Sequence, residues 1–438
     1  MTNQIEKPIK LFNKNFFLLW QGQTISILGS QAFSIAMLLW IQQTTGSATL
    51  MGLIFAMAAI PAIILGPFGG TFADRYSRKK ILVFSDIVRG IAVISLGLLM
   101  FRNTVQTEIL LVGLFLVAIL NSVVSTIFGP AFSASIPEIV PKENLAAANS
   151  LNQLSGSVTV FIGQGLGGVL FRILGAPLLF LVDGFTFFYA SISESFITIP
   201  QDIPEKKGNW SEQFRIFIKD LVDGFRYIVN RPGLRDTVII SAVLVFFAAP
   251  MMILLPFFVE DFLGATIDWY GYILAIVSVG TVVGFILAGG LRLQAKTRGR
   301  VLLTFIILQS AIFALFGLAG TVYVAAGLGF LYGCMNGFIM VNFTTIVQIT
   351  TPDEIRGRVF GILATIQGSL APLAIGLAGI IADLVNQNIP LIYITSGIIM
   401  TVFVIIVAFD RHFRDFLSSD HEVEESPEIE EQPSVSEL

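Results

Sequence analysis

GPFGGTFADRYSRKK, residues 66–80, ends one long apolar run and opens the next. Five charges fall within its last seven residues: Asp74, Arg75, Arg78, Lys79 and Lys80. A connection this short between two membrane-length helices must turn tightly, which its glycines permit. Four cations against one acid place it on the cytoplasmic side of a bilayer.

The rest of the chain agrees with a membrane setting. Of 438 residues 55% are hydrophobic and only 13% charged, with mean hydropathy +0.82, too few polar groups to cover a surface facing water. Apolar runs of membrane-spanning length occur at about 16–42, 48–73, 81–101, 108–131, 147–172 and 177–198, then at about 236–259, 269–291, 301–319, 322–349, 359–384 and 390–409. The spacing predicts an all-α integral membrane protein of twelve helices in two six-helix bundles. Residues 1–198 and 236–409 are the bundles, 199–235 a cytoplasmic connection, and 410–438 an acidic disordered tail. The basic head before the first run resembles a signal peptide, but the run is too long for one and lacks a small-residue cleavage site.

Charge fixes the expected orientation. With the N-terminus inside, 23 of the 26 Lys and Arg residues fall on inner segments; Arg102 and Arg172 are outside and Arg89 lies within the third run. Both termini are therefore expected in the cytoplasm. The net charge of −4 conceals this, because eight acids follow Leu417 and the body is basic without them. From Trp210 the connection carries apolar residues at one helical face, predicting an interfacial helix that ends at Arg231-Pro232-Gly233.

Chemistry of the enzymatic kind has little to stand on. No phosphate-binding Gly-x-x-x-x-Gly-Lys-Ser/Thr occurs. The two histidines lie past the last run and the one cysteine, Cys334, sits in an apolar run, so no metal site, cofactor or catalytic triad can be assembled. The expected energy source is a proton gradient and the expected partners are lipid, protons and a small molecule; no nucleic acid is implied, and the chain is expected to act as a monomer. Ionisable groups at membrane depth are candidates for function. Asp183, inside LLFLVDGFTFF, can take up and release a proton or be held structurally by a hydrogen bond or a cation. Asp86 and Arg89, at i and i+3, suggest a local ion pair. Glu194 and Asp383, near run ends, are expected to reach water or headgroups. Neutral polar residues mark a candidate cavity: Gln21, Gln23, Ser30, Gln31, Asn121, Asn152, Gln153, Asn336 and Asn342, with interhelical hydrogen bonding as the alternative for each.

Residues 70–79 resemble the loop signature G-x-x-x-D-R-x-x-R-K of the major facilitator superfamily, with Ser77 at a position usually glycine. Thr159-x-x-x-Gly163-Gln164-x-x-Gly167-Gly168 is similar to the antiporter signature G-x-x-x-G-P-x-x-G-G of drug exporters there, with Thr159 and Gln164 departing from it. Small-residue helix packing is the alternative reading of those glycines. Phe16-Phe17-Leu18-Leu19-Trp20-x-Gly22-Gln23, Pro137–Ser150 and Asp220-Leu221-x-x-Gly224-Phe225-Arg226-Tyr227 resemble the macrolide-efflux and enterobactin-exporter branch, the drug:proton antiporter-3 group. The resemblance implies a prokaryotic plasma-membrane transporter that exports a hydrophobic or amphipathic molecule in exchange for protons by alternating access. It also implies a gate in which Gly70 and Asp74 meet Arg356 and Arg358, with Arg75 and Arg78 meeting Glu138 or Glu143. Transport of a siderophore or lysophospholipid remains open, as does a non-transporting sensor or scaffold on the same fold.

Overall fold

The computed structural model describes residues 13–102, 104–141, 144–201, 210–291 and 294–418. Among them the chain is helical throughout: α1 Lys14–Thr45, α2 Ala48–Arg75, α3 Arg78–Met100, α4 Thr107–Ile139, α5 Leu145–Ser195, α6 Trp210–Asn230, α7 Pro232–Ala248, α8 Met251–Phe257, α9 Asp268–Gly290, α10 Ala295–Phe316, α11 Val322–Thr350, α12 Asp353–Leu384, α13 Ile389–Ala408 and α14 Arg411–Leu417. A π-helical turn, Phe258–Phe262, extends α8. Short polar side chains start several helices by accepting an orphan backbone N–H: Asn13 from Phe16, Ser47 from Leu50, Ser77 from Lys80, Thr321 from Val324 and Asn388 from Leu391.

Among the described residues eleven helices are long and apolar enough to cross a membrane, and one of them, Ala147–Ser195, is long enough to cross twice. It does reverse. Gly175 has φ 73°, a left-handed conformation that glycine adopts without strain. The neighbours of α1 show the turn: Gly22 and Gly29 lie against Ala190 and Asp183, whereas Gln31 and Ile35 lie against Gly163 and Gly167. One part of α5 thus runs against α1 and the other along it. With α7, α8 and the π turn forming one crossing, the count is twelve.

The seventh crossing begins at Pro232, four residues before the expected boundary, because Pro takes the first helical position. Helix α6 is not merely interfacial: it is docked on α12, with Gly224 against Ile362 and Arg358. Its Ile218, Val222, Phe225 and Val229 remain exposed.

We term the side where α1 begins and α14 lies the near face, and the opposite side the far face. The largest buried apolar cluster crosses from one half to the other on the far side, joining Leu39, Met51 and Ile54 to Leu254, Phe258, Ile375 and Ala378. The near-side clusters stay within one half each: Phe16, Leu82 and Phe128 in the first, Leu302, Phe338 and Phe413 in the second. The halves are therefore packed together at the far face, while the described apolar clusters of the near face each stay within one half.

Candidate functional site

Three carboxyl groups and one guanidinium form a buried cluster inside the N-terminal bundle. Asp86 and Glu194 are each 0% exposed and Asp183 1%. Arg89 Nη1 is 3.6 Å from Asp86, its Nη2 donates to Ser125 Oγ at 3.0 Å, and its guanidinium lies over the Phe128 ring at 4.7 Å. All three acids act on Arg89 electrostatically. Ser30 donates to Asp183 (3.2 Å) and Gln23 to Glu194 (2.9 Å). Glu194 does not reach water, contrary to expectation. It is eleven residues, three turns, beyond Asp183, and so on the same helical face and about 16 Å further toward the near side. That spacing was the available signal.

The C-terminal half holds a cavity of about 720 Å³. Its polar lining includes Gln309, Ser310, Tyr332 and Asn336, and its only described wall residue from the first half is Gln164. Gln309 Nε2 donates to Asn336 Oδ1 at 3.2 Å. Asn336 thus lies where a cavity residue was expected. Gln23 does not: it is buried on Glu194. Asn342 is likewise buried, donating to the Phe338 carbonyl in its own helix. Gln31 is partly buried beneath Gly163, and Gln153 is exposed. Asn121 Oδ1 and Asn152 Nδ2 are buried without a hydrogen-bond partner.

Across the far face the halves are tied by carboxylates. Asp383 does not sit free in water: it accepts from Ser47 Oγ (2.9 Å), Ala48 N (3.2 Å) and Thr49 N (2.9 Å), at the positive end of α2. Gln387 donates to the Gly46 carbonyl at 2.6 Å, Gln42 to Glu260 at 2.9 Å, and Arg172 pairs with Asp268 at 3.0 Å.

Residues 19–375 match the family model described as Major Facilitator Superfamily. The chain belongs to this superfamily. It is a multi-pass membrane transporter and not an enzyme. Among its relatives are the uncharacterized MFS-type transporter YfiS of Bacillus subtilis (26% identical, covering 88% of this chain and 91% of that one) and Macrolide efflux protein A of Streptococcus pyogenes (22%, 85% and 90%). The enterobactin exporter EntS of Shigella boydii is 24% identical over 79% of this chain and 80% of its own. Two solved structures share the fold. A bacterial homologue of the iron transporter ferroportin in an inward-facing state has TM-score 0.67 (16% identity, 91% and 99% covered), and a bacterial homolog of the lysosomal transporter Spinster, inward-facing and unoccupied, has 0.65 (16%, 92% and 96%).

In this major facilitator chain the loop of residues 70–80 sits at the near face. Gly70 has open space around it, and Arg75 is buried in the last turn of α2. Arg78 meets Glu138 at 3.4 Å and donates to the Ala134 carbonyl at 2.9 Å. Glu143 and the Asp74 side chain lie outside the described residues. Arg356 donates to the Thr351 carbonyl (3.1 Å), and Arg358 meets Asp223 of α6 (3.4 Å), a partner the loop reading did not anticipate. The signature glycines split between two neighbours: Gly163 and Gly167 pack on α1, while Gly168 closes on Ile267 and Asp268 of α9 in the other half.

Proposed function

We propose that this protein is a proton-coupled exporter of hydrophobic or amphipathic small molecules, working by alternating access in the plasma membrane with both termini in the cytoplasm. The observation that carries the reading is the imbalance of three buried carboxyl groups against one guanidinium. A charge sealed at membrane depth is costly, so two carboxylates in excess of the single cation call for protons, and protons can be exchanged. Lys and Arg distribution supports a cytoplasmic near face. The state with the far side packed is then the one that loads from inside.

Similarity to Macrolide efflux protein A and to the enterobactin exporter supports export over uptake. Asp183 is the proposed proton carrier, with Asp86 and Arg89 setting its electrostatic environment; the chain works as a monomer, driven by the gradient without a bound cofactor. The test is the pH inside inverted vesicles holding the protein and an imposed proton gradient, with macrolides, a catecholate siderophore and a lysophospholipid added. Dissipation on ligand addition, lost in Asp183→Asn, supports the reading. Dissipation that survives the substitution moves the proton elsewhere, and silence toward every compound rejects proton-coupled export of these classes.

A further inference from the structure

The buried cluster of Asp86, Arg89, Asp183 and Glu194 and the cavity are in different halves. Every described ionisable group at membrane depth in the N-terminal bundle is sealed from the cavity. The described cavity wall, in turn, contains no Asp, Glu, Lys, Arg or His, and Tyr332 is its only titratable side chain. An ammonium or carboxylate drawn into it would leave water without meeting a counter-ion, which is strongly unfavourable. Neutral hydrogen-bonding groups are what the wall offers. The Asn336 Nδ2 donors remain after Gln309 has used its Oδ1, and the Tyr332 side chain is on the same wall. Thr237, Ser241 and Gln164 add hydroxyl and amide groups. Four methionines, Met251, Met252, Met340 and Met400, complete the wall, and their flexible thioethers suit ligands of varied shape. The volume, about 720 Å³, is that of a drug-sized site.

We propose that this cavity binds an uncharged amphipathic molecule whose polar atoms are carbonyls, hydroxyls or ethers. This rests on the exporter reading for its physiological role and narrows its substrate class. The ligand and the proton do not compete for one carboxylate. They bind in opposite halves, and coupling between them passes through the movement of the halves.

The test is equilibrium binding to the purified full chain in lipid nanodiscs, with no gradient. Three fluorescent probes of one framework serve: the dansyl amide of hexylamine (neutral), dansylcadaverine (ammonium) and dansyl-6-aminohexanoate (carboxylate). Binding to empty nanodiscs is subtracted. The neutral probe is expected to bind saturably at least ten-fold tighter than either charged one. Joint replacement Gln309→Leu and Asn336→Leu is expected to weaken it several-fold. Ser241→Asp is expected to reverse the preference between neutral probe and ammonium. Equal or tighter binding of a charged probe to the wild type overturns the proposal. So does absence of saturable binding, or neutral-probe binding unchanged by the cavity-filling Leu244→Trp in protein that still elutes as a single species. Because no gradient is present, failure of proton coupling in vesicles leaves this result untouched, and a reversed probe order here leaves proton-coupled export untouched.

Discussion

The Asp383 carboxylate accepts a hydrogen bond from the Ser47 hydroxyl at 2.9 Å, across the boundary between the two halves, and two more from the backbone at the start of α2. These bonds exist only while the far face is closed. Hydrogen bonds to a charged acceptor are worth about 1.5–3 kcal/mol each where solvent is scarce. Asp383→Ala is expected to shift the population toward the state open at the far face by roughly ten-fold or more. Spin labels at Thr104 and Gly320, one on each half, would report it as a longer distance by double electron–electron resonance; an unchanged distribution would show that the apolar packing alone holds the face shut.

Arg89 is the one cation among three buried acids. Arg89→Met leaves them uncompensated, and a loss of roughly 3–5 kcal/mol is expected, as when one partner of a buried pair is removed. The double replacement Asp86→Asn with Arg89→Met should cost clearly less than the sum of its parts. Thermal unfolding in detergent of the four proteins checks this, and simple additivity would mean that the two residues do not act as a pair.

At the near face, Gly224 lets α6 approach α12: a Cβ there would come to 2.8 Å from Ile362 Cδ1 and 3.1 Å from Arg358 Cβ. Gly224→Leu is expected to undock α6 and speed proteolysis of the 199–235 connection. Arg358→Gln removes a partly exposed ion pair with Asp223, worth about 0–1 kcal/mol by itself, and should change the cleavage rate less than Gly224→Leu does. The reverse order would make the ion pair the anchor.

Asp410 lies beyond the last crossing and starts α14. The His412 backbone N–H and then its ring hold the Asp410 carboxyl below the usual carboxylate range. A lowered folded-state value means the stabilisation is present above the ordinary aspartate range and is lost as pH falls through the lowered one. Protection factors of the α14 amides, corrected for the intrinsic pH dependence of exchange, should therefore hold at pH 7 and fall at acid pH, and Asp410→Ala should remove that acid step. Equal acid sensitivity in wild type and variant would assign the effect to another group.

Ser77 stands where the family loop usually has glycine, and its Oγ accepts the Lys80 N–H at the start of α3. Ser77→Ala is expected to cost about 0.5–1 kcal/mol and Ser77→Gly only a few tenths, the ordinary ranking at a helix N-cap. Chemical denaturation of both variants checks the order.

The sequence by itself determined the class, the crossings and the face on which the cations gather. Hydrophobic run length and Lys/Arg placement are local properties, and a bilayer reads them locally. It also marked Asp86, Arg89 and Asp183, because an ionisable group in an apolar run stands out whatever surrounds it. What only the tertiary structure decided is which groups meet. Glu194 and Asp383 both sit near run ends, where sequence alone suggests water, yet one is sealed against Gln23 and the other crosses to cap α2. Gln23 and Asn336 are alike as polar residues in apolar helices, yet one serves a buried acid and the other a cavity. Burial and partnership at such positions depend on which helix faces come together from segments far apart in the chain, and helical periodicity within one segment does not specify its neighbour.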